Sequence, residues 1–403
     1  MTRLAALRGL ATRPLPEPPA GLRRGPFREG SFRSRLHDAA LAARLGRWLG
    51  VLFAVCLVTG LLSHWAQSPD PWVAFPTRPV WLYRVTQGVH VLAGMAMIPV
   101  LLVKLFVVYP RLFTWPPVRS LLHGLERLSL LLLVGGALLQ VATGLMNIAG
   151  WYAFGFFFPV GHYWGAWVTA GALLVHVGAK LSTARAALAQ PLSGEVLPPP
   201  DEEDRAPALS RRALLASTVA ASAAVVVVTA GQTVRPLAPL ALLAPRDPRI
   251  GPQGLPVNKS AAAAGVEAAA TDPAYRLRVD GPVPRELSLA DLAALEQVSA
   301  RLPIACVEGW SAEGIWTGVR VRDVLALAEF PEDRDILVQS LQRNGLYARS
   351  VLSPAAARDP LTLLALRLGG EPLHLDHGYP VRLIAPARPG VLQTKWVARL
   401  GPR

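Results

Sequence analysis

Cys306 is the residue in this chain best suited to redox chemistry. The sequence has two cysteines, Cys56 and Cys306, 250 positions apart. Cys56 lies inside an apolar run, so a disulfide framework is excluded. A solitary thiol is either a small buried apolar residue or a ligand for a soft metal. Cys306 follows a strand-like LPIA segment and precedes Gly309, which permits tight backbone geometry. The second group is a set of histidines in an apolar context: His37, His64, His90, His123, His162 and His176. In hydrocarbon an imidazole must hydrogen-bond or bind something, and it is a common axial ligand of haem iron.

His162 and His176 are fourteen residues apart. On an α-helix that spacing puts them within about 40° of one face and about 21 Å apart along the axis. One helix can thus present an imidazole near each side of a bilayer, the arrangement two stacked haems need. His90 lies about two turns into the preceding apolar run but one, at a depth matching His162. His37 precedes the first run on the inner side and reaches a haem only if the first helix begins near Phe32. His64 and His123 are the competing choices. Gly88 and Gly94 flank His90, Gly161, Gly165 and Gly171 lie near His162, and Gly178 follows His176. Small residues admit a flat macrocycle, and equally they let helices pack closely.

The elements that would hold these residues follow from composition. The 403 residues are 52% hydrophobic and 17% charged, which excludes a disordered chain and leaves room for two domains. The net charge of +14 could suggest nucleic acid, but its placement does not, because the charge is gathered in basic segments between apolar runs. Five such runs are long enough to span a bilayer: from Trp48 to Ser68, Val85 to Val103, about 128–146, about 162–180, and Ala213 to Val234. Buried core helices rarely stay free of charge over such lengths. Lys and Arg are concentrated before Trp48, between the second and third runs, and between the fourth and fifth, whereas the first connection has only Arg78 and Arg84 and the third has none. This alternation predicts a cytoplasmic N-terminus and an extracytoplasmic C-terminal part. Residues 1–32 read as a disordered basic tail suited to an anionic lipid surface. Residues 183–212 read as a Pro-rich, acidic cytoplasmic linker, 213–234 as an anchor helix, and 235–272 as a second linker. SRRALLAS before the anchor is similar to a twin-arginine export signal, and Arg211 and Arg212 serve equally as positive-inside anchors.

From residue 273 the texture becomes that of a mixed α+β domain. YRLRVDGPV, DILVQSL, PVRLIAP and KWVARL read as strands, and LSLADLAALEQ and VRDVLALAEF as short helices.

Two resemblances attach to these segments. The histidine pattern and topology of residues 33–182 resemble the membrane cytochrome b subunits of formate dehydrogenases and hydrogenases, which implies a four-helix bundle with one or two haem b groups on His90, His162, His176 and His37. ARLPIACVEGWSAEGIWTGVRVRDVL, NGLYARSVLS and LHLDHGYPVRLIAPARPGVLQTKWVARL resemble the molybdopterin-binding domain of the sulfite oxidase family. That resemblance implies Cys306 as the protein ligand of molybdenum and Tyr347 as an active-site tyrosine. It also implies pterin contacts from His377, Arg382, Thr394 and Lys395, with Asn258 as a further contact. The basic side chains suit a phosphate. Sulfite oxidases follow the cysteine with arginines that hold the anion. Here VEGWSAEG follows, with Glu308 and no Arg, which points to a neutral substrate such as a sulfoxide or N-oxide.

Together the halves predict a membrane-bound molybdopterin oxidoreductase moving an oxygen atom to or from a small extracytoplasmic substrate. Electrons would pass through haem b to or from the quinone pool, with no nucleic-acid partner. The alternatives are a haem-only electron-transfer protein whose exported domain binds without catalysis, and a transporter or sensor without redox cofactors.

Overall fold

The computed structural model describes residues 9, 11–28, 30–32, 34, 36–153, 155–156, 158–191, 210–242 and 250–403. Most of the proline-rich acidic linker, together with Arg33, Arg35 and Arg205, lies outside them.

Five long helices come first: α1 (Ala39–Ala66), α2 (Leu82–Val108), α3 (Leu121–Ile148), α4 (Phe158–Ala189) and α5 (Arg211–Ala230). Polar side chains fix three of the starts. Asp38 Oδ1 accepts from Leu41 N at 2.8 Å, Ser120 Oγ from His123 N at 3.2 Å, and Ser210 Oγ from Ala213 N at 3.1 Å. Each satisfies a donor that the first turn leaves unpaired. Among the described residues, four helices are long and apolar enough to cross a membrane: α1, α2 with the turn that follows it, α3 and α5. The fifth expected run, inside α4, is helical over 32 residues but is not in that group. Its glycines, two histidines and Lys180 dilute its apolarity.

The chain forms two compact units. One comprises Met1–Leu57, Ala93–Asn147 and Tyr152–Val226; the other comprises Val58–Leu92, Ile148–Trp151 and Val227–Arg403. In the first, Leu41, Leu45, Val100 and Val107 make a buried apolar cluster, with Leu214 and Leu215 packed against it. Arg211 pairs with Asp38 at 3.6 Å, and Ser222 Oγ donates to Ala96 O at 2.9 Å. The basic tail is not featureless where it is described. Phe27 packs edge-on to Phe113 and Trp115, and Phe32 stacks on Phe113.

The second unit contains two five-stranded sheets. β1 (Leu277–Val279), β2 (Arg285–Leu287), β5 (Ile336–Ser340), β6 (Arg349–Leu352) and β10 (Val397–Pro402) form one, in the order β2-β1-β10-β5-β6. β3 (Val298–Ala305), β4 (Ser311–Arg320), β7 (Leu363–Leu368), β8 (Glu371–Pro372) and β9 (Arg382–Ile384) form the other. All pairs are antiparallel except β1 with β10. Five short helices join them: α6 (Ala261–Ala264), α7 (Glu267–Ala270), α8 (Leu289–Ala294), α9 (Val321–Leu327) and α10 (Pro354–Arg358). α8 starts in a capping box, with Ser288 and Asp291 each accepting the other's backbone N–H.

One core gathers Leu277, Val279, Val324, Ile336, Leu383 and Leu400. A second gathers Leu302, Ile304, Trp316, Leu363 and Ile384 around Cys306. Full burial of each such side chain contributes about 1.5–3 kcal/mol. Residues 250–272, read from sequence as linker, pack on the sheet domain: Leu255 joins this core, and others contribute to a further cluster. Ala261, Val266 and Ala270 are buried against Trp396.

The connection between α1 and α2 is fastened to the sheets within the same unit. Val351 N donates to Pro69 O at 2.7 Å and Ala387 N to Val80 O at 3.1 Å. Arg78 makes a two-pronged contact with Asp359, at 2.7 and 3.1 Å. The Asp359 side chain is 6% exposed, so it depends on that partner. Arg78 itself is half exposed and screened by water. Arg78→Ala is therefore expected to lower the stability of this unit by about 1–2 kcal/mol. A reduced midpoint of thermal unfolding in detergent reads it, with part of the loss recovered by Arg78→Lys.

Candidate active site

Cys306 stands at the end of β3, where the chain leaves the sheet in a tight turn. Its N–H donates to Trp310 O at 2.9 Å, and its carbonyl accepts from Gly309 N at 3.1 Å. The turn depends on Gly309, which has φ +91°. A side chain there would also press on Val91, since a Cβ would lie 3.1 Å from its methyl carbon. Cys306 is buried, as is Glu308, whose Oε2 accepts from Trp310 Nε1 at 2.9 Å.

Tyr347 lies in a short turn (Leu346–Ala348) close enough for charge on Cys306 to act on it. Burial, reinforced by that thiol, pushes its phenol up to about 12. It is a hydrogen-bond donor at neutral pH. Lys395 also feels charge on Cys306. The structure thus brings Cys306, Tyr347 and Lys395 into one neighbourhood.

Around them lie three cations, Arg382 buried and Arg388 and Lys395 partly buried. Arg382 NH1 donates to His377 O at 3.0 Å, its guanidinium lies 5.2 Å from the Trp316 ring, and its Nε has no hydrogen-bond partner. Burial pushes Arg382 down to about 9. Lys395 Nζ donates to Lys259 O at 2.8 Å and reaches Asn258 Oδ1 at 3.5 Å. Burial, beside the Arg382 guanidinium, pushes its ammonium down to about 7. Arg388, which sequence reasoning missed, is pushed down to about 10 by burial and donates to Val351 O, Leu392 O and Ser350 Oγ. Its position six residues after Arg382, in the same apolar segment, was the available signal. Thr394 is buried with its Oγ1 2.9 Å from Ser350 Oγ. Among the described residues none of Arg382, Arg388 and Lys395 forms an ion pair. A buried guanidinium with an orphaned Nε, beside two partly buried cations, favours an anion, and a phosphate-bearing pterin fits that donor set.

His377 differs from the donor role expected of it. Its Nε2 lies 2.6 Å from Pro252 O, which can only accept, so the ring hydrogen is there and Nδ1 is left as an acceptor. Burial, with Arg382 nearby, pushes the imidazole down to about 4, so it is neutral at physiological pH. His374 caps a turn by accepting from Asp376 N at 3.1 Å.

The helical histidines divide between the units. His37, His162 and His176 belong to the first and His90 to the second. Thr143 Oγ1 lies 2.6 Å from Leu139 O, 3.3 Å from Gln140 O and 2.9 Å from His162 Nδ1. When the hydroxyl donates to a carbonyl, Nδ1 bears the ring hydrogen and Nε2 the lone pair, the tautomer a metal ligand needs when it binds through Nε2. His90 has a matching partner, Thr59 Oγ1, 3.2 Å from Nδ1. A Cβ at Gly60 would come within 2.8 Å of the His90 ring, so the glycine admits the imidazole. His176 has Lys104, Lys180 and Glu126 as charged neighbours. The condition set for His37 is not met, because α1 begins at Ala39; its Nδ1 lies 3.2 Å from Val107 O instead. His123 Nδ1 accepts from Arg119 N at 3.1 Å, and His64 is in the last turn of α1.

Comparison with known proteins bears on the sheet domain. Residues 263–401 match the family model "Oxidoreductase molybdopterin binding domain", beginning ten residues before the boundary expected from sequence. Chicken sulfite oxidase is 35% identical over 161 residues, 31% of this chain and 34% of that one. The protein-methionine-sulfoxide reductase catalytic subunit MsrP of Xanthomonas campestris is 35% identical over 133 residues, 29% of this chain and 40% of that one. The uncharacterized oxidoreductase YuiH of Bacillus subtilis is 31% identical over 126 residues, 30% of this chain and 62% of that one. The chain thus spans between about a third and two thirds of the length of these relatives. Its C-terminal part, with the buried Cys306 turn and cations that form no ion pair among the described residues, is an oxidoreductase molybdopterin-binding domain related to those of sulfite oxidase and the methionine-sulfoxide reductase catalytic subunit.

Proposed function

We propose that this chain is a membrane-bound reductase that removes an oxygen atom from a small neutral acceptor, a sulfoxide, outside the cytoplasm. Its electrons come from membrane quinol by way of haem b. The observation that carries the reading is the buried Cys306 turn beside Tyr347 and Lys395. Cys306 would hold molybdenum, and bound molybdopterin would supply two-electron oxygen-atom transfer. Arg382 and Lys395 would hold the pterin phosphate, with Asn258 and Thr394 beside them, and His377 would accept from a pterin N–H. Tyr347 keeps its proton at neutral pH and would donate it toward the substrate oxygen. Glu308, buried two residues from Cys306, disfavours an anion such as sulfite. His90, His162 and His176 would hold haem. The four apolar helices support membrane association, and the Lys and Arg pattern supports an extracytoplasmic catalytic domain.

Elemental analysis of the purified chain tests the site. Molybdenum is expected in the wild type and lost in Cys306→Ser, and a Cys306→Ser protein that keeps its metal sinks the assignment. With reduced viologen as donor, a sulfoxide should be turned over, while sulfite with a ferric acceptor should not. The opposite preference refutes the substrate class.

Lys395 gives the cofactor a pH signature. Unfolded, its ammonium titrates near 10.5; in the empty folded site it titrates near 7. Between these values the folded state holds fewer protons, so its contribution to the stability of the empty site rises with pH. A phosphate at the site favours the charged ammonium. Cofactor retention should therefore be firmest below about pH 7 and weaken above it. Molybdenum per chain after dialysis across this range measures the effect, and Lys395→Gln should flatten it while weakening retention.

A further inference from the structure

We propose that Thr233, just after α5, positions the turn carrying Cys306 against α2 and so sets the electronic coupling between the molybdenum site and a haem on His90. This rests on the reading above, and all the residues involved belong to one compact unit.

Thr233 has three separate attachments. Its Oγ1 donates to Gly309 O at 3.0 Å, on the Cys306 turn. Its methyl packs on α2, 3.7 Å from where a Cβ of Gly88 would stand. Its carbonyl accepts from Arg84 NH2 at 2.6 Å, and Arg84 also pairs with Glu313 on β4 at 2.7 Å. Next to it, Gln232 O accepts from Ser311 N at 3.0 Å, where the turn re-enters the sheet.

α2 grips the same turn from its own side. Gln87 Nε2 reaches Val307 O at 3.5 Å, while Gln87 Oε1 accepts from Ser63 Oγ at 2.7 Å. Ser63 and Tyr83 are joined by Gln67, and Ser63, Tyr83 and Gln87 are all buried. One helical turn after Gln87, Val91 touches the Gly309 position. His90 therefore lies between two residues that meet the thiol-bearing turn. Buried polar groups are costly unless satisfied, and here their satisfaction fixes the turn to the helix.

The electron balance is simple. A quinol releases two electrons and two protons, and the electrons pass singly. The sulfoxide takes up two electrons and two protons as its S–O bond breaks, yielding sulfide and water.

Thr233→Val keeps the methyl packing and removes the hydrogen bond; Thr233→Ser keeps the bond. In the full chain loaded with both cofactors, two signals are read: the paramagnetic molybdenum spectrum, and the rate at which reduced haem is reoxidised after sulfoxide is added. Thr233→Val should alter the spectrum and slow reoxidation about tenfold, since displacements of about 1 Å at a reacting centre cost at least this much. Thr233→Ser should restore both, and Gln87→Leu should shift both in the same direction as Thr233→Val. Wild-type behaviour of Thr233→Val in both signals overturns the positioning role. Absence of haem or molybdenum from the wild type overturns the proposed function itself, and the coupling with it.

Discussion

Positive charge withdrawn from water without an ion pair is the constraint around which the sheet domain is arranged. Arg382 is buried and Lys395 partly buried by the strands and turns at the C-terminus, and neither forms an ion pair among the described residues, although the Asp376 carboxylate acts on Lys395. Their cost is reduced only locally, by Trp316 under one guanidinium and by carbonyls around the ammonium. Such a site is a standing demand for an anion, which the proposed phosphate-bearing cofactor would meet. Cys306 would complete the requirement, because a thiol nearby offers a soft metal ligand.

The membrane helices work under the opposite constraint. Little polar surface is tolerated there, so each polar residue must find a partner. Thr143 and Thr59 meet that need by facing imidazole nitrogens, at 2.9 and 3.2 Å. A side chain that satisfies a membrane histidine also fixes its chemistry.

Much of this was legible in the sequence. The segments read as strands and short helices after residue 273 contain β1, β5, β9, α8 and α9 and most of β10, with α8 starting at the Ser288–Asp291 capping box, whereas β4 and β7 fall outside those segments. The second, third and fourth apolar runs fall inside helices, and the first and fifth overrun theirs by a few residues. What could not be read was long-range. Residues 250–272 lack a period because two four-residue helices are too short to show one, yet they bury alanines on Trp396. His377 stands within the motif singled out in the sequence, but the direction of its hydrogen bond depends on Pro252, 125 positions away. Thr233 has no motif at all; its meaning comes only from the carbonyl it meets.

The fastening of residues 67–81 has a consequence for biogenesis. Arg78 meets Asp359 across 281 positions and Asp70 meets Arg403 across 333. When this segment first emerges from the ribosome, none of the strands that will hold it has been made. It must wait, solvated, through the synthesis of four further long helices, and its prolines suit that wait by discouraging premature strand pairing. Closure with the last strand, β10, is thus a late assembly step, and a chain truncated even slightly at its C-terminus would leave the loop without its final clasp.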